Sequence, residues 1–273
     1  MTINCKGTLI DLASPKVMGI LNITPDSFYD GGKYKDEVAI LNQVDKMLTE
    51  GATFIDVGAY SSRPGAAHIS EEEELKRILP VIDLLLKNFP EIILSIDTFR
   101  SKIAKETINA GAAIINDISG GTMDDNMFST VANLQVPYIL MHMLGTPQNM
   151  QQNPVYDDVV KDIISFFAKQ IFELHQLQLN DIIIDMGFGF GKTIAHNYQI
   201  LKDLRLFKSL DAPILAGISR KSMLYKTLDI SAQEALNATT SANTIALLNG
   251  ANILRVHDVK EAVEAVKIVT QVL

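Results

Sequence analysis

The feature that most constrains the fold is a regular alternation of short apolar runs with longer amphipathic stretches. The eight runs, which predict β-strands, are Val17–Leu21, Thr53–Val57, Ile92–Ile96, Ile114–Asn116, Tyr138–Met141, Ile182–Asp185, Ile214–Ala216 and Ile253–Val256. Nearly continuous apolar runs are typical of parallel strands that are covered on both faces. Helical patterns lie between them, among others at Val38–Thr49, Glu71–Lys87, Asp157–Leu177 and Ala232–Leu248. Eight β-then-α units in 273 residues therefore predict an α/β fold, the closed (β/α)₈ TIM barrel.

Domain organisation follows from the same pattern. Residues 1–14, which precede the first strand, predict a short β-hairpin across the amino-terminal end of the barrel. Because no linker, repeat or low-complexity tract interrupts the chain, residues 1–273 are interpreted as a single domain. A doubly wound open sheet is the alternative architecture. Capping boxes at Ser70–Glu73 and Ser231–Glu234 predict where two helices begin.

Composition and charge argue against several classes of protein. The net charge is −8, whereas non-specific nucleic-acid binding requires a broad basic surface. No apolar run approaches the roughly 20 residues that cross a membrane, and the amino terminus has no signal-peptide pattern. Cys5 is the only cysteine, so no disulfide can form within the chain. We therefore expect a cytoplasmic protein whose partners include neither a membrane nor a nucleic acid.

Polar residues follow nearly every predicted strand, at the end where barrel enzymes carry their active sites. They are Asn22, Asp56, Asp97, Asn116, Asp117, His142, Asp185, Arg255 and His257, and the seventh strand ends at Gly217 before Ser219-Arg220-Lys221-Ser222. So many polar groups at one rim indicate a ligand site, because burying them without partners is costly. Local capping is the alternative for any single residue. It is our interpretation of Asp117, and Asp56 is interpreted as a brace for the loop that follows it.

The residue types at this rim indicate what the ligand carries. Cationic donors stand out in an acidic protein and suit an anionic group such as a diphosphate. These donors are Arg63, Lys221, Arg255 and His257. Asp97, Asn116 and Asp185 supply acceptors and an amide, which suit a flat heterocycle with several N–H donors.

A glycine-rich stretch, Gly187–Thr193, ends like a phosphate-binding P-loop but does not match one. That motif needs a glycine five positions before its last glycine, where this chain has Met186. We interpret the stretch as a loop that lets a planar ligand approach the backbone, with Phe190 either as an aromatic wall or in ordinary packing. No histidine has the spacing of a metal-binding pair, and His142 is interpreted as a buried, hydrogen-bonded core residue.

Seven segments together resemble the signatures of the dihydropteroate synthase family. The first two loops read Asn-Ile-Thr-Pro-Asp-Ser-Phe-Tyr-Asp-Gly-Gly at 22–32 and Ser-Ser-Arg-Pro-Gly-Ala at 61–66. The others are Ser95–Thr98, Ile115–Asp117, Asp185 with its glycine-rich loop, Ser219–Ser222 and Arg255–Val259. The matches run from residue 16 to 259, and in combination they are highly specific. The family's second loop commonly reads Glu-Ser-Thr-Arg-Pro, whereas here Tyr60 replaces the acid and Ser62 the threonine.

The resemblance implies a transferase of folate biosynthesis and a sulfonamide target. It would condense (7,8-dihydropterin-6-yl)methyl diphosphate with 4-aminobenzoate to give 7,8-dihydropteroate and diphosphate. The implied mechanism is dissociative, so the diphosphate leaves before the arylamine attacks a pterin-stabilised carbocation. The implied cofactor is Mg²⁺ and the implied assembly is a homodimer. The apolar helices predicted at Ala232–Leu248 and Val259–Val269 are the expected interface.

The resemblance also implies roles for individual residues. The pterin ring would be held by Asp97, Asn116, Asp185 and Lys221, with Gly217 also among the substrate-binding residues. The diphosphate would be held by Asn22, Arg63, Arg255 and His257, with Asn22 also a ligand of Mg²⁺. The 4-aminobenzoate would lie among Ser62, Pro64, Phe190, Lys221 and Ser222, its carboxylate at the helix start of Ser222. Phe28 and Arg63 lie on loops that would close over the site, and the catalytic set would be Asn22, Arg63, Asp97 and Lys221.

Two other functions would fit part of this pattern. A methyltransferase acting on methyltetrahydrofolate would share the pterin residues but need neither the diphosphate set nor the Ser-Arg-Lys-Ser turn. A non-catalytic pterin-binding relative would be expected to lack Asn22, Arg63 or Lys221, and this chain has all three. Tyr60 is the one departure that points toward the non-catalytic alternative.

Overall fold

The computed structural model describes residues 1–23, 33–60, 69–147, 150 and 154–272. It begins with a hairpin of β1 (Thr2–Cys5) and β2 (Thr8–Asp11), which pair antiparallel. The two turn residues, Lys6 and Gly7, both have positive φ, as a tight hairpin turn requires. Ile3, Cys5 and Leu12 are buried in one cluster with the amino-terminal residues of the barrel strands. The predicted hairpin across this end of the barrel is therefore confirmed.

Eight parallel strands form the barrel, and each lies within two residues of its predicted bounds. They are β3 (Lys16–Asn22), β4 (Phe54–Gly58), β5 (Leu94–Asp97), β6 (Ile114–Asp117), β7 (Tyr138–Met141), β8 (Ile182–Asp185), β9 (Ile214–Ala216) and β10 (Ile253–Val256). Their order is β10-β3-β4-β5-β6-β7-β8-β9. The sheet closes at β10, where Ile253 pairs with Lys16 on one side and Leu215 on the other. This closure confirms the TIM barrel and excludes the open sheet.

The helices pack around the outside of the barrel. They are α1 (Lys33–Thr49), α2 (Glu71–Asn88), α3 (Ser101–Asn109), α4 (Met127–Leu134), α5 (Val159–Gln176), α6 (Ile194–Asp203), α7 (Ser222–Leu228), α8 (Leu236–Leu248) and α9 (Val259–Val269), with a 3₁₀ helix at Leu204–Leu210. Their inner faces and the outer faces of the strands form one large apolar core. No helix of the described part of the chain is long and apolar enough to span a membrane.

The two predicted helix starts have different outcomes. Ser70 caps α2 as predicted, because its Oγ accepts from the Glu73 backbone N–H at 3.2 Å. Ser231 and Glu234 do form capping-box hydrogen bonds, but α8 begins only at Leu236. Arg220 explains the delay, since its Nη1 binds the backbone carbonyls of residues 232 and 233. Those carbonyls therefore close a turn instead of the first turn of the helix.

Candidate active site

Polar residues from separate strands meet at the carboxyl-terminal mouth of the barrel. Asn22 ends β3, Asp97 ends β5 and Asp185 ends β8. Gly58, the last residue of β4, separates the first two: a Cβ there would lie 3.4 Å from Asp97 Cβ and 3.7 Å from Asn22 Oδ1. Both are ordinary contact distances, so the Asn22 amide and the Asp97 carboxylate lie next to Gly58 at the mouth.

Arg255, on β10, joins two carboxylates at the centre of the mouth. Its Nε donates to Asp56 Oδ2 at 2.6 Å and its Nη2 donates to Asp97 Oδ2 at 2.8 Å. Asp56 is fully buried and also accepts from Ser95 Oγ at 2.6 Å and Asn116 Nδ2 at 3.0 Å. Asp56 therefore ties β4 to β5, β6 and β10, and its expected role as a brace for the following loop stays a prediction, because residues 61–68 of that loop lie outside the described residues.

The sharing of one guanidinium by two buried carboxylates perturbs their ionisation. Burial raises the pKa of Asp97 to about 7, with Arg255 opposing the rise and Asp56 adding to it. Burial also disfavours the charge on Arg255, but Asp56 and Asp97 outweigh it and raise the Arg255 pKa above its ordinary value. Near neutral pH the mouth thus holds a carboxylate that is about half ionised beside a guanidinium that stays charged.

Asp185 and Lys221 lie close enough at the mouth for each to shift the pKa of the other. Oδ1 of buried Asp185 accepts from the Gly187 backbone N–H at 2.8 Å, and burial raises the pKa of this acid while Lys221 lowers it. Lys221 immediately precedes α7, donates to the Phe188 carbonyl, and lies with its Nζ 4.6 Å from the centre of the Phe190 ring. Burial lowers the pKa of Lys221 to about 8, with Asp185 opposing.

The end of β9 supplies space and the turn that leads to α7. Gly217 is buried, and a Cβ on it would lie 3.6 Å from Asp185 Oδ2. Ser219 Oγ lies 3.0 Å from His257 Nδ1 and accepts from the His257 backbone N–H at 3.2 Å. His257 is exposed at the rim, and Ser222 is the first residue of α7.

Arg100 was not singled out from the sequence. It lies three residues after β5 and ties the carboxyl-terminal end of that strand to α2. Its Nη1 donates to Glu74 Oε2 at 2.6 Å, and Thr98 Oγ1 donates to Glu74 Oε1 at 2.9 Å, all three side chains being buried. Its Nη2 donates to the Ile69 carbonyl at 2.7 Å, and its Cζ lies 5.4 Å from the centre of the Tyr60 ring. Tyr60, in place of the acid common in the resembled family, thus offers Arg100 an aromatic face.

Of the acids at strand ends, Asp117 caps the backbone that follows it, whereas Asp97 does not. Asp117 Oδ1 accepts from the Ser119 backbone N–H at 2.7 Å, so its predicted capping role is confirmed. Asp97 does not cap the helix that follows β5, because the Ser101 N–H at the start of α3 donates to Asp124 Oδ2 at 2.7 Å. The Asp97 carboxylate is therefore available to the mouth of the barrel.

His142 and Lys192 lie beneath the glycine-rich loop. Lys192 Nζ lies 3.0 Å from His142 Nδ1 and donates to the carbonyls of His142, Gly187 and Phe190 at 3.1, 3.0 and 2.9 Å. Burial lowers the pKa of His142 to about 2, so its ring is neutral, and the prediction of a buried, hydrogen-bonded histidine is confirmed. Lys192 was missed because its partners come from the fold and from loop carbonyls that a sequence does not orient.

Four predicted site residues lie outside the described residues, namely Phe28, Ser62, Arg63 and Pro64. The structure brings the other predicted ligands to one mouth, from Asn22 on β3 to His257 after β10. Their individual roles stay predictions.

The donor set fits a magnesium ion held mainly by a substrate. The described residues contain no group of three or more His, Cys, Asp or Glu placed to hold a metal ion. Asn22 offers one hard amide oxygen at the mouth, next to Asp97. Mg²⁺ commonly binds through one or two protein oxygens together with substrate phosphates and water, so this set is compatible with it.

Comparison with known proteins agrees with this geometry. A family profile described as pterin binding enzyme matches residues 18–257. The dihydropteroate synthase of Escherichia coli K12 is 42% identical over 275 residues, which cover 100% of this chain and 97% of that protein.

Two crystal structures are similar over almost the whole fold. Yersinia pestis dihydropteroate synthase in a sulfonamide drug complex has a TM-score of 0.93 and 43% identity, covering 100% of this chain and 99% of that one. The Xanthomonas albilineans enzyme with 4-aminobenzoic acid has a TM-score of 0.92 and 37% identity, and the match covers 99% of this chain and 97% of that one. The chain therefore belongs to the dihydropteroate synthase family of pterin-binding enzymes.

Proposed function

We propose that the barrel mouth forms 7,8-dihydropteroate by a dissociative substitution, in which (7,8-dihydropterin-6-yl)methyl diphosphate loses diphosphate before 4-aminobenzoate attacks. The observation that supports this proposal most directly is that Asp56 and Asp97 share the guanidinium of Arg255. It places negative charge and fixed positive charge side by side in a buried setting. A reaction that develops a cation on the ring and an anion on the leaving group needs both.

The pterin ring would be held by strand-end acceptors. Asn116 donates its amide N–H to Asp56 and so presents its carbonyl oxygen as an acceptor. Asp97 and Asp185 offer carboxylates, and the ionised form of Asp97 would stabilise the ring as positive charge develops on it. Lys221, whose Nζ already binds the Phe188 carbonyl, would donate to the ring from the side of the glycine-rich loop.

The diphosphate would be held at the cationic edge of the mouth. Among the described residues, no partner is found for Nη1 of Arg255, and His257 is exposed at the rim. These two groups, with Arg63 and Asn22, would bind the leaving group through charge-assisted hydrogen bonds. A Mg²⁺ held by Asn22 and phosphate oxygens would supply further neutralisation of the departing charge.

The 4-aminobenzoate would bind beside Phe190 and Lys221, with Ser62, Pro64 and Ser222 completing its pocket. An arylamine is neutral at pH 7 and carries a nucleophilic lone pair, so its attack requires no strongly basic side chain. The chain's task at this step is to position the amine against the methylene carbon and to exclude water, which would otherwise trap the cation.

A homodimer is part of the proposal. Apolar side chains on the outer faces of the last two helices are exposed, with Ile245 and Leu248 on α8 and Ile268 on α9. Packing these faces against a second copy would remove apolar surface from water.

A coupled assay of diphosphate release, with and without 4-aminobenzoate, tests the proposed function. The proposal expects sustained release only when the arylamine is present, with one dihydropteroate formed per diphosphate, as measured by mass spectrometry. Methyltetrahydrofolate together with a thiol or cobalamin methyl acceptor serves as the control, and no tetrahydrofolate should form from it. Release without dihydropteroate, or methyl transfer, would overturn the proposal.

A further inference from the structure

The lysine of the P-loop-like stretch has no place in the proposed chemistry, yet it is one of the most buried lysines described. Lys192 is 3% exposed, and its Nζ contacts three backbone carbonyls and the neutral ring of His142 within 3.1 Å. An amine at the centre of four acceptors is too enclosed to bind a substrate phosphate. Its partners are parts of the protein itself.

Those partners are the two ends of one tight turn. Gly187 and Phe190 close the turn by a hydrogen bond from the Phe190 N–H to the Gly187 carbonyl at 3.0 Å, and Lys192 binds the carbonyls of both. Gly187, Gly189 and Gly191 all have positive φ, so this turn gives up much conformational freedom when it is ordered. Lys192 supplies two of the contacts that hold it, and Asn197 supplies another, its Oδ1 accepting from the Gly189 N–H at 2.7 Å.

The turn is also fixed against the neighbouring loop. A Cβ on Gly187 would collide with the His142 carbonyl, so the two backbones are in direct contact there. Because Lys192 binds His142 as well as the turn, one Nζ joins the ends of β7 and β8.

On its side toward the mouth, the turn contacts Lys221. The Phe188 carbonyl accepts from Lys221 Nζ, and the Phe190 ring lies 4.6 Å from the same atom. The Phe190 carbonyl, held by Lys192, fixes the backbone from which that ring projects. Lys192 is thereby linked to Lys221 through the turn.

We propose that Lys192 is a positioning residue for the arylamine pocket, which it acts on through the turn 187–190 and the Phe190 ring. The proposal rests on the proposed function, because that function places 4-aminobenzoate beside Phe190 and Lys221. It predicts a larger effect on the arylamine than on the pterin, since Asp97 is bound by Arg255 and Asn116 by Asp56, whereas Asp185 contacts the turn only through the Gly187 N–H.

The test compares Lys192→Met, which keeps the length of the side chain but removes the amine, with Lys202→Met on the exposed end of α6 as the matched control. Lys192→Met should raise KM for 4-aminobenzoate about tenfold, as expected when buried carbonyl groups lose their hydrogen-bond donor, and change kcat much less. Calorimetric affinity for the pterin diphosphate should fall much less, by at most about threefold, because the turn contacts the pterin residues Asp185 and Lys221 as well. Lys202→Met should match the wild type in all three.

A double-mutant cycle with Phe190→Leu separates positioning from a direct charge effect. If Lys192 acts through the ring, Lys192→Met should add little to the KM increase already caused by Phe190→Leu. Multiplicative increases in KM would overturn the proposal, as would an unchanged KM or an equal loss of affinity for both substrates.

Two further measurements test the proposal independently of whether Lys192→Met folds and turns over. If Lys192→Met does not fold, His142→Phe removes one of the four acceptors and should raise the same KM about two- to threefold, whereas no change would overturn the proposal. Hydrogen exchange of residues 186–191 in the ligand-free protein should be faster in Lys192→Met. That measurement needs no turnover: normal exchange refutes the anchoring, while a wild type that forms no dihydropteroate refutes the proposed function.

Discussion

Replacing Asp97 by Asn separates the catalytic role of this carboxylate from its effect on stability. The substitution keeps the shape of the side chain and removes its charge. Arg255 loses one anionic partner but retains Asp56 at 2.6 Å, so no buried charge is left alone. The Ser101 N–H at the start of α3 is bound by Asp124, so the helix loses no cap. Asp97→Asn should therefore fold normally.

The two consequences have opposite signs. If ionised Asp97 stabilises a developing cation, kcat should fall on the order of 10²-fold, or about 2.7 kcal/mol, with a much smaller change in KM. Stability should respond differently because the folded pKa of about 7 lies above the unfolded value of 3.8. The folded protein therefore binds this proton more tightly, and the associated stability is present below pH about 4 and is lost as pH rises through about 7. Because the Asn side chain does not ionise, Asp97→Asn loses no stability of this kind as pH rises.

Urea unfolding at pH 5 and pH 8, together with steady-state kinetics, measures both effects. Between these pH values Asp97→Asn should gain on the order of 2–3 kcal/mol in unfolding free energy relative to the wild type. The reasoning is refuted if kcat of a folded mutant stays close to the wild-type value, or if the mutant becomes relatively less stable as pH rises. In the first case Asp185 would be the next candidate for the counter-charge.

Three further predictions concern the anion site, the buried ion pair and the assembly. Arg255→Ala should lose about 1.5–3 kcal/mol of affinity for the pterin diphosphate by calorimetry. It should also be destabilised by about 3–5 kcal/mol in urea, because Asp56 and Asp97 are left without their cation, and unchanged affinity would remove Arg255 from the site. Glu74→Gln should cost about 3–5 kcal/mol in urea unfolding by breaking the buried pair with Arg100, whereas Glu73→Gln, whose partner Arg77 is on the surface, should cost little; equal effects would contradict this. Light scattering at micromolar concentration should give twice the chain mass of 30.0 kDa, and a monomer alone would exclude the dimer.

The sequence predicts the barrel well because its signals are local. Each strand is a short apolar run, and parallel pairing brings every strand end to one mouth. That rule alone predicts that Asn22, Asp97 and Asp185 come together from positions far apart in the chain. The span of the single domain and the cytoplasmic location stay predictions.

The interior ion pairs were not predictable in the same way, since they depend on which side chains meet across the fold. Arg100 pairs with Glu74, which is 26 residues away in the sequence, and Arg255 pairs with Asp56, which is 199 residues away. Glu74 did leave one signal, because it continues the buried stripe of Ile78, Ile82 and Leu85 on α2. A carboxylate on an apolar face indicates a buried partner, but not which one.

The start of α8 shows how tertiary contacts override a local pattern. Ser231 and Glu234 form the hydrogen bonds of a helix start, yet Arg220 binds the carbonyls that the first helical turn would need. Arg220 in turn is held by both oxygens of Asp258 at 2.8 Å. A capping motif therefore predicts the local bonds more reliably than the first residue of the helix.

The most direct test of the dissociative account is the secondary deuterium isotope effect at the methylene carbon that joins the pterin to the diphosphate. The enzyme would be given a mixture of the unlabelled and the dideuterated substrate with 4-aminobenzoate well below saturation, so that bound pterin diphosphate can dissociate before it reacts. If diphosphate leaves before the arylamine attacks, this carbon becomes planar and weakly bonded in the transition state. The account predicts that unlabelled substrate is consumed measurably faster than the deuterated form. Equal rates, or faster reaction of the deuterated substrate, would show that the amine is already bonding as diphosphate departs, and would contradict it.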